Sequence, residues 1–269
     1  MGLLDGKRAL VFGVANDHSI AWGIAKALHD HGAAEVGFSS VEMLLEKRVR
    51  PLAASIGSDF VEPCDVRVDA DVARVFDAWA ARHPGESGTG AGSLDILVHA
   101  LAFANREDLD GKFVETSRDG FALAMDVSAY SLVAIVREAR RVLASPSSVM
   151  CLTYYGAEKV VQHYNVMGVA KAALEASTRY LAADLGSSGV RVNAISAGPV
   201  RTLAASGVSG FKQMYGAFRD VAPLRSNITI EDVAGTAVWL ASDLSRQVTG
   251  ETVYVDGGFN ILGVPTVEG

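Results

Sequence analysis

The sequence predicts an α/β fold: a single-domain, doubly wound (Rossmann) seven-stranded parallel sheet with helices on both faces, spanning residues 1–269. Three observations predict it. Short apolar runs alternate with segments of helical period along the whole chain. The strand runs, RALVFGV and LDILVH for example, read as buried. The connections are short, and 27 glycines suit many tight strand-to-helix turns.

Arg8–Val14 is the first predicted strand. A helix follows from Ser19 to His31, with Ile20, Ile24, Ala27 and Leu28 at helical spacing and Gly32 as its stop. Glu35–Ser40 is a second strand and Glu42–Ile56 an amphipathic helix. Asp59–Cys64 is a third strand, although Pro63 ends it or marks an edge. Asp71–Arg82 is helical, and the Gly/Ser/Pro-rich 83–93 is read as a surface loop. Leu94–His99 is a fourth strand, Phe113–Leu143 contains a long helix, and Ser148–Thr153 is a fifth strand. The next helix carries Tyr164 and Lys171 and is closed by Gly186 and Gly189. Val190–Ile195 and Thr252–Val255 are the last strands. Thr229, with Asp232 three residues on, caps the helix between them. The irregular segment 196–220 is read as a lid.

Hydrophobic residues make up 49% and charged residues 20%, as in globular proteins. The net charge of −7 gives no reason to expect nucleic acid or an anionic membrane as partner. Cys64 and Cys151 lie in apolar runs and are read as reduced, buried thiols of a cytoplasmic protein. The N-terminus has neither a signal-peptide pattern nor a membrane span, and no run of eighteen apolar residues occurs.

In such a sheet, ligands bind outside the carboxyl ends of the strands. After the first strand, Gly13, Ser19 and Ile20 open a helix whose N-terminus suits a pyrophosphate. An ordinary strand-to-helix turn is the alternative. After the second come Val41 and Glu42; a carboxylate there repels a 2′-phosphate and points to NADH, or else Glu42 is a solvated first-turn helix residue. Asp65 and Val66 either flank an adenine or cap the next segment. Ala100, Leu101, Ala102 and Phe103 are mostly small and leave room for a flat group. Val200 and Thr202 follow the sixth strand, where the turn and the Thr202 hydroxyl suit a carboxamide. His99 ends an apolar strand and is read as a packed histidine.

Tyr154, Tyr164 and Lys171 carry the chemistry. On a helix, a spacing of seven puts Tyr164 and Lys171 on one face, with Gly168 between them admitting a ligand. The ammonium is expected to lower the tyrosine pKa and to hold a ribose hydroxyl.

These residues resemble the short-chain dehydrogenase/reductase superfamily, and within it the bacterial NADH-dependent enoyl-acyl-carrier-protein reductases. The likeness runs from Gly6-Lys7-Arg8 to Asp256-Gly257-Gly258-Phe259. It is most specific at Tyr164-Asn-Val-Met-Gly with Lys171, at Val192-Asn-Ala-Ile-Ser-Ala-Gly-Pro, and at Arg201-Thr-Leu-Ala-Ala-Ser-Gly. Most superfamily members place Tyr four residues before Lys, where this chain has Met167. A spacing of seven resembles the branch that reduces carbon–carbon double bonds. The resemblance implies hydride transfer from NADH to a trans-2-enoyl thioester borne by acyl carrier protein or CoA. It implies Tyr164 on the thioester carbonyl, Lys171 on the nicotinamide ribose, and an acyl site lined by Ala102, Phe103, Ala104, Tyr154, Met167 and Phe211. It also implies a homotetramer.

Three departures are visible. Val41 stands where the family has Gln, and Ala100-Leu101-Ala102 where it has Ser-Ile-Gly. The lid keeps few basic residues, Lys212 and Arg219 among them, for an acidic carrier. Two other readings stay open: a reductase of another activated alkene or carbonyl, and a non-catalytic dinucleotide sensor or scaffold.

Overall fold

The computed structural model describes residues 2–85, 90–202 and 211–263, apart from the side chains at 211, 212 and 214. Seven parallel strands are ordered β3-β2-β1-β4-β5-β6-β7. They are β1 (Arg8–Phe12), β2 (Glu35–Ser40), β3 (Val61–Pro63), β4 (Leu94–His99), β5 (Leu143–Thr153), β6 (Val190–Ala197) and β7 (Thr252–Val255). Chain order reverses between β1 and β4, which opens a crevice at the carboxyl edge.

Helices cover both faces because the strands are apolar on both. Ala9 and Val11 of β1 join one core, and Leu10 and Phe12 the other. On the first face lie α1 (Ile20–Asp30), α2 (Glu42–Leu44) and α3 (Arg50–Ser55). Trp22, Ile24 and Leu28 of α1 meet Val233, Ala237 and Leu240 of a later helix there. On the second face are α4 (Asp69–Arg82), α7 (Ser131–Ala139) and α8 (Asn165–Leu185). Phe76, Trp79, Leu132 and Leu174 form that core. The short α5 (Arg106–Leu109) and α6 (Arg118–Met125) precede α7, α9 (Phe211–Val221) follows β6, and α10 (Ile230–Ala241) lies on the first face.

Local signals set the boundaries. Ser19 caps α1 by accepting the Trp22 N–H, and His31 and the left-handed Gly32 end it. Thr229 and Asp232 form the reciprocal capping box of α10. Gly189, with φ of 77°, closes the turn after α8.

Several expectations need correction. The third strand is only Val61–Pro63, starting two residues later than its apolar run, while the Cys64 N–H still donates to Ser40 O at 2.9 Å. The helical run from Glu42 is interrupted by a π turn at Leu45–Val49, and the long helix by another at Asp126–Tyr130. Phe113–Glu115 is a separate 3₁₀ turn. β5 begins at Leu143, which pairs with Leu94 ahead of a register shift. α8 starts at Asn165, so Tyr164 is its N-cap rather than a helical residue. Residues 86–89 of the predicted loop and 203–210 of the predicted lid lie outside the described residues. Arg118–Ala139 is long and apolar enough to cross a membrane, but half of its apolar window is buried against the core.

Candidate active site

A cleft of about 570 Å³ runs along the carboxyl edge of the sheet. Its walls include Gly13, Ser19, Ile20, Val41, Asp65, Val66, Ala100, Leu101, Ala102, Phe103, Tyr154, Tyr164, Lys171 and Thr202. Residues scattered over the sequence therefore meet in one groove because each follows a strand of the same sheet.

The middle of the groove is formed by β1 and α1. Gly13 has φ of +101°, and a Cβ there would lie 2.2 Å from the Ala100 carbonyl oxygen. Only glycine lets the β1 and β4 turns approach so closely. The Ala100 N–H donates to Phe12 O, and the Gly13 N–H to Ser39 O. The first turn of α1 has no acidic residue, so its N-terminus presents an uncompensated positive field to the groove. The Ser19 hydroxyl is already engaged, donating to Asn16 O at 2.7 Å while it caps Trp22.

At one end stand Val41, Asp65, Val66 and Arg67. Glu42, expected beside an adenosine ribose, is exposed in the first turn of α2 and is absent from the groove walls.

The other end holds the two phenols and the ammonium. The Tyr154 and Tyr164 rings meet edge to face, 4.9 Å apart. Tyr164 sits between two non-glycine residues with positive φ, His163 at 62° and Asn165 at 37°. Such backbone is costly and is held by its surroundings. The Asn165 amide supplies part of that hold, donating to Leu109 O at 2.8 Å. Lys171 is 5% exposed, and its Nζ donates to Leu152 O at 2.7 Å.

Electrostatics here differ from the sequence expectation. Burial pushes Tyr154 up to about 12. Burial, and then the neighbouring Tyr154, push Tyr164 further up. No lowering by Lys171 occurs; both phenols are neutral donors at physiological pH. The ammonium itself yields instead, pulled down to about 8 by burial against small opposing effects of Cys151 and Glu175. His99 is fully buried, with Nε2 2.7 Å from Ser131 Oγ, and burial holds it neutral at about 3. It is the packed histidine that its strand position implied.

Gly168 has a different role from the one its spacing suggested. A Cβ there would lie 2.7 Å from the Gly156 carbonyl oxygen. It lets α8 pack onto the Tyr155–Ala157 turn rather than admitting a ligand. A Cβ at Gly156 would in turn strike the Tyr164 ring at 2.6 Å. Ala104, Met167 and Val200 are not on the groove walls. Met167 and Ala104 pack behind Tyr164 in a small apolar cluster, and Val200 is 6% exposed in the main core. The Phe211 and Met214 side chains lie outside the described residues. Arg219, expected to serve an acidic partner, pairs with Asp220 at 3.3 Å.

Sequence reasoning missed three supports. Ser128 accepts the Phe103 N–H at 2.9 Å and so fixes the β4 turn; a mid-helix serine gives no signal of this. A second cavity of about 1000 Å³ shares Tyr154 with the first and lies between α9 and the ends of β5 and β6. Phe218 of α9 stacks on Phe259 at 5.1 Å, and Tyr155 meets Phe259 edge on at 5.9 Å. Phe218 carries a signal, since it lies on the apolar side of an amphipathic helix.

The donor set fits an extended dinucleotide: an anion-binding helix end at mid-groove, a planar-ligand slot at one end, and a buried ammonium beside neutral phenols at the other.

Residues 13–260 match the model of the family described as "Enoyl-(Acyl carrier protein) reductase". The chain is 50% identical over 267 residues to enoyl-[acyl-carrier-protein] reductase [NADH] 2 of Rhizobium meliloti, covering 99% of this chain and 96% of that one. It is 50% identical over 269 residues to the NADH enoyl-[acyl-carrier-protein] reductase of Aquifex aeolicus, covering 98% and 95%. The solved Bacillus cereus enoyl-acyl carrier protein reductase, with NADP+ and an indole naphthyridinone, superposes with a TM-score of 0.91 at 50% identity, covering 98% of this chain and 100% of that one. The Anaplasma phagocytophilum reductase in complex with NAD gives 0.92 at 48% identity, covering 99% and 98%. On a family match over most of its length and half identity from end to end, this chain belongs to the enoyl-(acyl carrier protein) reductase family.

Proposed function

We propose that this protein reduces the double bond of trans-2-enoyl thioesters on acyl carrier protein, with NADH as reductant, in fatty acid elongation. The observation that carries the reading is the neutral, half-buried Tyr164 lining the same groove as Lys171 and Thr202. The family supports the substrate class and the cofactor.

Bound in the groove, the nicotinamide would supply hydride to the substrate β-carbon. Negative charge then develops on the thioester oxygen, and the enolate takes a proton from solvent at its α-carbon to complete the reduction. The Tyr164 hydroxyl donates a hydrogen bond to that oxygen, and its raised pKa keeps the proton in place. A donor aimed where charge appears acts mainly in the transition state. Lys171 holds the nicotinamide ribose hydroxyls with the N–H bonds that Leu152 O leaves free. Tyr154 packs its ring against Tyr164 and borders both cavities, so it separates the reducing end from the acyl space. Gly13, Ser19 and Ile20 hold the pyrophosphate, Asp65 and Val66 the adenine, and Ala100–Ala102 with Thr202 the nicotinamide. Ala102 and Phe103 meet the acyl group. α9, at the described end of the 196–220 lid, borders the acyl space and is anchored through Phe218 on Phe259. A single domain, a homotetrameric assembly and a cytoplasmic location complete the proposal.

The test is loss of reduced-nicotinamide absorbance with crotonyl-CoA or an enoyl carrier protein. Tyr164→Phe removes the donor and leaves the ring, so kcat falls by about 10²–10³ with little change in KM. Absence of turnover with every enoyl thioester rejects the reading. Turnover with NADPH but not NADH rejects the choice of cofactor.

A further inference from the structure

We infer that Arg67 forms one wall of the adenine pocket, its guanidinium face stacking on the purine ring of the dinucleotide. This rests on the NADH reading above.

Arg67 lies two residues beyond Asp65, past the end of β3, and borders the groove. Its Nε and Nη2 donate to the two Asp65 oxygens, at 2.9 Å to Oδ1 and 2.5 Å to Oδ2. Its backbone N–H donates to the same Oδ1 at 3.1 Å. One carboxylate thus grips both the backbone and the guanidinium edge and fixes the plane of the group. Asp126, from the π turn after α6, attracts it weakly as well.

The groove that it borders is also lined by the apolar Val66, Leu123 and Val127 and by Cys64, together with Ser39, Ser40 and Asp65. That thiol is neutral, pushed up to about 12 chiefly by burial. A partly apolar groove edged by a fixed guanidinium suits an electron-rich heteroaromatic ring. Asp65 retains lone pairs beyond those that Arg67 uses and can accept from an exocyclic amino group.

The geometry favours a ring over a 2′-phosphate. Phosphate binds the edge of a guanidinium, where the N–H bonds point. Here the Nε–Nη2 edge is turned to Asp65, whose carboxylate also repels a phosphate, although the Nη1 side keeps its N–H bonds. No local pattern marks this residue, because an arginine two residues after a turn aspartate reads as a solvated charge.

The experiment is steady-state kinetics with crotonyl-CoA for wild type, Arg67→Ala and Arg67→Lys, with NADH and with NADPH as the varied substrate. Wild-type turnover with NADH first secures the underlying reading on its own. In Arg67→Ala the KM for NADH then rises about threefold to tenfold while kcat at saturation stays within about twofold. Arg67→Lys, which keeps the charge and loses the plane, stays close to Arg67→Ala. An unchanged NADH KM overturns the inference. So does full rescue by lysine, which would make charge sufficient, or a clearly larger loss with NADPH, which would assign Arg67 to the phosphate. A fall in kcat equal to the rise in KM also overturns it, by giving Arg67 a general structural role.

Discussion

Replacing Lys171 by methionine should stabilise the protein while crippling it. Lys171 is 5% exposed, and burial pulls it from 10.5 down to about 8. The folded pKa lies below the unfolded one. Below pH 8 both states hold the proton, and the folded state carries the whole cost of burying the charge. At 1.36 kcal/mol per pKa unit, that cost is about 3 kcal/mol at pH 7. As pH rises from about 8 to 10.5, the folded lysine is already neutral while the unfolded chain still binds a proton. Stability therefore rises across this window, and the cost falls to about 1 kcal/mol at pH 10. Methionine fills similar volume without charge but leaves the Leu152 carbonyl without its partner, a loss of about 1 kcal/mol. Lys171→Met should then be about 2 kcal/mol more stable than wild type at pH 7 and equal to it near pH 10. The assay is urea unfolding of both proteins at fixed protein concentration and several pH values. Taking the difference between them removes the groups whose titration does not depend on Lys171; Cys151, at about 11 and lowered by Lys171, lies above the window. Activity should move the other way: kcat/KM for NADH falls about tenfold to a hundredfold, the worth of a charged hydrogen bond. In wild type the same parameter should decline above about pH 8, as the ammonium of the free enzyme is lost. A Lys171→Met protein less stable than wild type at pH 7, or a stability difference that does not change with pH, would refute the electrostatic reasoning.

Two further substitutions probe the ground around the phenols. Gly168→Ala brings a Cβ to 2.7 Å from the Gly156 carbonyl oxygen, and backbone cannot give way as a side chain can. It should lower stability by about 1–3 kcal/mol in urea titration and raise the proportion of misaligned Tyr164, seen as a lower kcat. An unaltered unfolding midpoint would show that the α8 contact is slack. Ala102→Gly removes a methyl from the exposed wall of the β4 turn, beside Phe103. Flat diphenyl-ether inhibitors should bind about tenfold more tightly to it, and an unchanged inhibition constant would sink that idea.

Much of the sheet was legible because burial on both faces leaves strands that are apolar throughout. β4 and β7 occupy their predicted spans, and the Thr229 box and the Ser19 cap mark helix starts by local hydrogen bonding alone. What could not be read depends on tertiary contact. The π turn at Asp126–Tyr130 has no local signature, yet it places Ser128 on the Phe103 backbone. β5 extends back to Leu143 because Leu94 is there to pair with it.

Tyr164 and Lys171 line one groove by a geometry that their spacing does not predict. A shared helical face was the expected reason for their meeting, and Tyr164 is not on the helix. What aims the phenol is the reversal through His163 and Asn165, two left-handed residues that no helical wheel contains. Gly156 leaves room for its ring, and Gly168 lets the turn bearing Gly156 lie against α8. Both glycines are consumed in building the seat of one side chain. The same burial then reverses the expected chemistry. A tyrosine beside an exposed ammonium would titrate easily and could surrender its proton. In this seat desolvation dominates, the phenol holds its proton, and the ammonium is the group whose charge is at risk. A donor that keeps its proton is suited to steadying an enolate oxygen, and it has no need to deliver that proton during hydride transfer. On the proposed mechanism, the seven-residue spacing would serve double-bond reduction through the cavity it enforces rather than through direct pairing of phenol and cation.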